Sequence, residues 1–189
     1  MSVRADPAPQ AAERLWLKRA VLVLVRPHEV LAGFRDDTDT AARARSEAVL
    51  ALVLLGGIAG VLWTPVAGTV LNDVQLDWLD VVVWAFLGGG LYGAAAYFVG
   101  GLVLYALTRV VGGITYRQAR HLLAFAAAPV VLSLLVVVPV RLAVYGEDVF
   151  RSGGSDHGAG NASFVVVELA FVAWSLALVA VGLRALLRR

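Results

Sequence analysis

Four side chains capable of charge and hydrogen-bond chemistry crowd into one short stretch, GGITYRQARHLLAFAAAP, which leads into an apolar helix. They are Tyr116, Arg117, Arg120 and His121, and they fall within the first two turns of that helix. Gly112 and Gly113 are expected to end the preceding helix, and Thr115 with Gln118 has the capping-box spacing that starts the new one. Cations at a helix N-terminus are disfavoured by the macrodipole unless an anion lies close by. The stretch therefore predicts either an interfacial anchor or a binding site for an anionic lipid headgroup or an acidic partner. His121 would be its only member that titrates near neutral pH.

A second candidate is a carboxylate inside an apolar segment. Glu168 lies five residues past Ser163, where the last apolar run begins. A charged group at membrane depth is costly, so it indicates either a functional site or an ion pair. Its expected partner is Arg141, at the same end of the preceding apolar run. A structural ion pair is the favoured interpretation, and a proton or ion site is the alternative.

Other patterns that could carry chemistry are weak. Asp73, Asp77 and Asp80 are spaced so that a helix would place them on one face, where carboxylates can hold a divalent cation, although a solvated helix entry is more common. Cysteine is absent, which excludes thiolate metal sites and thiol nucleophiles. No Ser-His-Asp pattern or phosphate-binding loop is found. We therefore expect no catalytic residues, no metal site and no cofactor.

The elements that must position these residues are membrane helices. The sequence of 189 residues is 60% hydrophobic and only 16% charged, with a mean hydropathy of +0.79, which is too apolar for a soluble domain. An all-α integral membrane protein is predicted, because backbone groups in lipid must pair within their own segment. Its bundle of four transmembrane helices is predicted at about 48–71, 81–107, 122–140 and 164–183.

Basic residues predict the orientation of this bundle. Fourteen of the 16 lysines and arginines flank the predicted spans on one side, and only Arg141 and Arg151 lie on the other. By the positive-inside rule, both termini and the loop at 112–120 are cytoplasmic. The chain is therefore predicted to be a multi-pass protein of the cell membrane. The excess of arginine over the single lysine suggests a GC-rich, bacterial source.

Two regions follow from this topology: a cytoplasmic N-terminal segment, residues 1–46, and a four-span transmembrane domain, residues 47–189. Within the first region, AAERLWLKRAVLVLV places Arg14 and Lys18 four residues apart and aliphatic residues on another face, which predicts an amphipathic interfacial helix. A helix packed on the core is the equally weighted alternative. Pro27 is expected to open a short helical turn, PHEVLAGF. The run Asp36, Asp37, Thr38 and Asp39 then supplies turn and N-cap residues before a helix that enters the first span through Arg43, Arg45 and Glu47.

Small residues and one proline predict how the spans pack. Gly56, Gly60, Thr64 and Gly68 recur every four residues in the first span, as do Gly89 and Gly93, and then Ala96 and Gly100, in the second. Such stripes allow close backbone approach, here between the first two spans or between copies of the chain. Pro129 is expected to bend the third span near its middle.

Three of these tracts together resemble a known family. VRPHEVLAGF, the stretch GG-x-x-YRQA at 112–119, and Pro129 are similar to the Ypt-interacting protein (Yip) domain family, in particular its small prokaryotic members, from about Val25 onward. The resemblance implies a helical multi-span protein with a cytoplasmic N terminus. Eukaryotic members are associated with vesicle traffic and Rab-type GTPases, but their GTPase-contacting residues have no match here. Members are commonly described with five spans, against the four counted above.

Two functions from different classes follow. The first is a non-enzymatic membrane-organising or interaction component, whose basic cytoplasmic face contacts anionic headgroups, a partner membrane protein or a second copy of the chain. The alternative is a small transporter or permease-like subunit that uses Glu168 beside the bent third helix. No nucleic-acid partner is expected.

Overall fold

A computed structural model describes residues 18–63, 78–150 and 159–187. These residues form helices and no strands. The helices are α1 (residues 18–25), α2 (Pro27–Ala32), α3 (Asp39–Trp63), α4 (Trp78–Ala95), α5 (Gly101–Thr108), α6 (Tyr116–Ala126), α7 (Ala128–Tyr145) and α8 (Ala159–Leu187). Short 3-10 turns follow α2, α5 and α7, and a π-helical turn, Ala96–Gly100, joins α4 to α5.

Among the described residues, four helical segments are long and apolar enough to cross a membrane, as predicted. The first to fourth spans are Asp39–Trp63, Leu79–Thr108, Tyr116–Tyr145 and Asn161–Leu187. The helix of the first span begins at Asp39, nine residues before the apolar run, and it includes Arg43, Arg45 and Glu47, through which the sequence predicts that a helix enters this span. The third and fourth spans also extend several residues beyond the apolar runs at both ends. The apolar runs therefore locate each span. The helices extend beyond those runs because they also include polar residues near their ends.

Glycines set the contact between the first and second spans. A Cβ atom built on Gly57 would lie 2.0 Å from the carbonyl oxygen of Gly89, and one built on Gly93 would lie 2.2 Å from the carbonyl oxygen of Val53. The two backbones therefore touch where only glycine fits. The predicted stripe is divided between neighbours, since Gly60 faces Tyr92 of the second span but Gly56 faces Ala127 of the third. Thr64 and Gly68 lie outside the described residues.

The third span is interrupted near its middle, where the sequence predicts a bend at Pro129. Helix α6 ends at Ala126 and α7 begins at Ala128, with Pro129 in its first turn. Proline has no amide hydrogen for the preceding turn, and its ring crowds the carbonyl four residues earlier. Pro139 does not end the helix, which continues to Tyr145.

The N-terminal segment packs on one end of the bundle. Val23, Leu31 and Phe34 are buried in the same core as residues of the first and third spans, and the rings of Phe34 and Phe125 meet edge to face at 5.0 Å. Arg35 donates from Nε to the carbonyl oxygen of Ala185 at 2.8 Å, which satisfies a free carbonyl at the end of the fourth span. We call this end, formed by residues 18–47, 108–121 and 184–187, the basic end.

The predicted interfacial helix is only partly described. Residues 18–25 are helical, with Val23 fully buried while Val21 and Val25 are exposed. Residues 11–17 lie outside the described part, so an amphipathic helix in the headgroup layer is not confirmed and stays a prediction. The boundary between residues 46 and 47 falls inside the helix Asp39–Trp63, and the division into two regions also stays a prediction.

Candidate functional site

The start of the third span is built as its residue types predict. Gly112 and Gly113 have positive φ values of 125° and 69°, a conformation that favours glycine and turns the chain after the second span. Gln118 donates its backbone amide to Thr115 Oγ1 at 3.1 Å, and its side-chain oxygen accepts from the Thr115 amide at 2.9 Å. This reciprocal capping box fixes where Tyr116, Arg117, Arg120 and His121 stand.

Arg117 is engaged within the chain. Its Nε lies 2.7 Å from Asp37 Oδ1, its Nη1 binds Asp39, and its Nη2 donates to the Asp37 carbonyl oxygen. Thr115 Oγ1 also donates to Asp37 Oδ2 at 2.6 Å. The anion that offsets a cation at this helix N-terminus is therefore an aspartate of the N-terminal segment.

The turn that presents Asp37 is itself held by side chains. The Thr38 amide donates to Asp36 Oδ1 at 3.1 Å, and the hydrogen bonds from Thr38 hold the pKa of Asp36 below its usual value. Thr38 Oγ1 accepts from the Ala41 amide at 3.3 Å, so Thr38 caps the first span. Sequence reasoning assigned turn and cap chemistry to this run but missed the contact with Arg117, because the two partners are 80 residues apart.

Arg120 lies in an enclosure of aromatic rings. Its guanidinium carbon is 4.5 Å from the ring centre of Tyr116, 5.2 Å from that of Tyr97 and 5.4 Å from that of Phe98. Tyr116 also donates its hydroxyl to the Phe98 carbonyl oxygen at 3.0 Å. Tyr97 and Phe98 belong to the π-helical turn Ala96–Gly100, which the sequence did not reveal. Cation–π contacts of this kind stabilise and orient the guanidinium.

The Nε of Arg120 is buried and has no hydrogen-bond partner among the described residues. The stem of the side chain packs against the second span where Gly101 leaves room: a Cβ built on Gly101 would lie 2.4 Å from Arg120 Cγ. Packing of the stem therefore fixes the guanidinium at the basic end without an acidic partner in the described part of the chain.

His121 is the most buried of the four residues, with 7% of its surface exposed. Its ring lines a cavity of about 710 Å³ between the first and second spans. Nδ1 is buried and no described residue is hydrogen-bonded to it. Buried polar atoms are normally hydrogen-bonded to protein or to ordered water, so Nδ1 can take a hydrogen-bond partner from outside the described residues.

The four predicted residues therefore do not form one exposed patch. Arg117 faces the N-terminal segment, Tyr116 and Arg120 face the second span, and His121 faces a cavity. They are near one another only because all four lie within about one and a half turns of the same helix. Their role as a lipid- or partner-binding site stays a prediction.

The second predicted pair is brought together. Arg141 Nη1 lies 3.1 Å from Glu168 Oε1, and both side chains are nearly buried, at 12% and 11% exposure. Arg141 Nη2 is 3.4 Å from Asn161 Oδ1, and its guanidinium carbon is 5.8 Å from the Phe164 ring centre. The pair bridges the third and fourth spans at the end opposite the basic end, in an arrangement that suits a structural contact.

Of the predicted acidic cluster, Asp73 and Asp77 lie outside the described residues, and Asp80 is in the first turn of α4. Within the residues the structure describes, no three His, Cys, Asp or Glu side chains are grouped to hold a metal ion.

One polar residue at the basic end escaped sequence reasoning. Arg45, which was assigned to the basic flank of the first span, is 5% exposed. Its guanidinium donates to the carbonyl oxygens of Gly33 at 3.1 Å and Asp36 at 2.9 Å. The guanidinium carbon lies 5.0 Å from the centre of the Phe34 ring. Basic residues near a helix end can satisfy free carbonyls in this way, but the sequence does not say which arginine does so.

Comparison with known proteins gives one finding. The family model described as the Yip1 domain matches residues 21–189, which is nearly the whole chain and includes every residue of the candidate site. No curated protein and no solved structure matched. Together with four helices suited to span a membrane, this agrees with the family that the tracts around Pro27, Gly112 and Pro129 indicated. The chain belongs to the Yip1 domain family.

Proposed function

We propose that this Yip1 domain protein is a non-enzymatic membrane-organising or interaction component of the cell membrane, with both termini in the cytoplasm. Its basic end meets anionic headgroups of the inner leaflet or an acidic partner protein. Arg117 and Tyr116 hold the start of the third span in place, and Arg120 and His121 contribute to binding. The Yip1 family is generally non-enzymatic, which is consistent with this role.

The observation that carries the proposal is the charge imbalance at the basic end. The described residues there include ten lysines and arginines against five aspartates and glutamates. Several of the acidic groups are already used inside the chain, since Asp37 and Asp39 bind Arg117. Exposed basic residues remain, namely Lys18, Arg43, Arg109 and Arg184. Each basic residue near an anionic leaflet contributes about 1 kcal/mol of attraction.

The transport alternative rests on Glu168. The carboxylate of a transport site must be available to a proton or ion, whereas Glu168 accepts a hydrogen bond from Arg141. This contact supports a structural role for Glu168 and favours the interaction hypothesis.

Co-purification after crosslinking in native membranes tests the proposal. The double variant Arg43→Gln/Arg184→Gln removes two exposed positive charges from the basic end, and we expect it to lose most crosslinked partner protein or most enrichment in anionic lipid. The matched control Arg26→Gln/Glu29→Gln removes an exposed ion pair at 3.6 Å and leaves the net charge unchanged, so its partners and lipids should equal those of the wild type. Equal recovery from all three proteins would contradict the proposal.

A further inference from the structure

A cavity that is open on one side lies between the first and second spans, and His121 of the third span also lines it. The glycine contact at Gly57, Gly89 and Gly93 draws the two helices together, and beside this contact, towards the basic end, a volume of about 710 Å³ remains. Gly90 and Ala94 line it and bring little side-chain volume. This size lies within the range of about 300–1,000 Å³ found for ligand sites.

The cavity opens sideways towards the bilayer. Leu50, Phe86 and Phe98 line it, and each has at least half of its surface exposed. These residues belong to membrane spans, where the surrounding solvent is lipid. An occupant that enters by this route must come from the bilayer.

The walls change from polar to apolar along the cavity. Ser46, Glu47 and His121 line it near the basic end, where the first and third spans begin. Leu54 lines it seven residues beyond Glu47, roughly 10 Å further along the helix at 1.5 Å per residue. The cavity therefore matches an amphiphile, with a headgroup at the basic end and a hydrocarbon chain pointing into the membrane.

Charged residues beside the polar end of the cavity offer contacts for a headgroup: Glu47 lines the cavity, and Arg43 lies one helical turn before it. Arg43 and Glu47 are four residues apart on one helix, so their side chains lie on the same face, and both are exposed. They present a cation and an anion side by side. His121 adds a ring nitrogen with no partner among the described residues, and Ser46 adds a hydroxyl that donates to the Arg43 carbonyl oxygen at 2.7 Å.

We propose that this cavity binds one phospholipid with an amine-bearing headgroup, of the phosphatidylethanolamine class. One acyl chain lies between the first and second spans, the ammonium group donates to Glu47, and the phosphate faces Arg43. His121 hydrogen-bonds to the polar linkage between headgroup and chain. The proposal goes beyond the proposed function and shares only Arg43 and His121 with it.

Native mass spectrometry of the full-length protein in mild detergent tests the site. The protein is supplied with phosphatidylethanolamine, phosphatidylglycerol or phosphatidylcholine of the same acyl chains, and we expect one phosphatidylethanolamine to be retained per chain. Gly90→Leu places a branched side chain in the cavity without a clash at Cβ, because the nearest atom to a built Cβ is Leu54 Cδ1 at 3.9 Å. This variant should lose the lipid.

Gly88→Leu is the matched control. It makes the same change in the same helix, and its built Cβ meets only Val61 at 3.6 Å, outside the cavity. It should retain the lipid. If Gly90→Leu fails to fold, Ala94→Phe takes its place with the exposed Ala95→Phe as its control. Equal lipid retention by the cavity variant and its control, or binding of detergent only, would overturn the proposal.

The headgroup is tested by Glu47→Gln, with Glu29→Gln as the control carboxylate. We expect Glu47→Gln to reduce the preference for phosphatidylethanolamine over phosphatidylcholine by about tenfold, the effect of one lost hydrogen bond to a charged group. An unchanged preference, or a wild-type preference for phosphatidylglycerol, would overturn the assignment. Gly90→Leu keeps every exposed basic residue, so its crosslinked partners should persist, and the two proposals can fail separately.

Discussion

At the scale of single residues, three arginines of the basic end have different surroundings. Arg117 is paired with Asp37, Arg120 is enclosed by rings, and Arg45 is buried against backbone carbonyls. Sequence position predicted a membrane-flanking role for all of them. The partner of each arginine belongs to another element of the chain. Counting charges therefore predicted the sign of the net charge at this end, but not the role of each side chain.

The pair formed by Arg141 and Glu168 provides a prediction at this scale. Removing one member leaves a nearly buried charge without its partner, which costs about 3 kcal/mol. We expect Glu168→Gln and Arg141→Gln each to lower the free energy of unfolding in detergent by about this amount. The double variant should lose far less than the sum of the two single variants.

Denaturant unfolding of the purified protein measures these differences. The exposed pair Arg26 and Glu29, with side chains 64% and 69% exposed, is the control, because exposed ion pairs contribute little. Additive losses from the Arg141 and Glu168 variants would show that the two side chains do not interact.

At the scale of elements, small residues decide which helices meet. The first and second spans touch through Gly57, Gly89 and Gly93, while Gly56 turns towards the third span. A four-residue period in the sequence predicted the close contact but assigned Gly56 rather than Gly57 to it. Small residues lie on more than one face of the first span, so the adjacent Gly56 and Gly57 face different neighbours.

Substitution of these glycines by alanine gives the second prediction. In Gly57→Ala the new methyl group would collide with backbone atoms of the second span, so the helices must move apart, at a cost of about 1–3 kcal/mol or more. In Gly90→Ala the methyl group enters the cavity, and the gain in helix propensity makes this variant as stable as the wild type or more so. Thermal unfolding in detergent separates the two outcomes. A Gly57→Ala protein with unchanged stability would contradict the close contact.

At the scale of the whole molecule, the N-terminal segment and the bundle share one core. Phe34 packs on Phe125, Arg35 binds the end of the fourth span, and Asp37 binds Arg117. These contacts place the start of the first and third spans and the end of the fourth at the same end of the molecule. Four spans, the number found among the described residues, would leave both termini on one side of the membrane, and this orientation stays a prediction.

Labelling of single cysteines tests this topology, because the natural chain contains none. We expect an impermeant maleimide to label Ser155→Cys on intact cells, since the loop that holds it carries few basic residues. Ser2→Cys should be labelled only after the membrane is permeabilised. Labelling of both positions from the same side would contradict the predicted orientation.

Sequence alone determined the class, the number of spans, the capping box at Thr115 and the interruption before Pro129. These features depend on local properties: apolar length, the missing amide of proline and the short reach of a capping side chain. Such causes act within a few residues, and they can be read without knowledge of the fold.

Only the tertiary structure decided the partners. The contact of Arg117 with Asp37, the ring enclosure of Arg120, the burial of Arg45 and the cavity beside His121 all join residues from different elements of the chain. In a membrane the apolar side chains gain little by choosing one neighbour over another, so backbone approach and polar contacts set the packing. Those interactions depend on distances between helices, which composition and spacing along one chain do not specify.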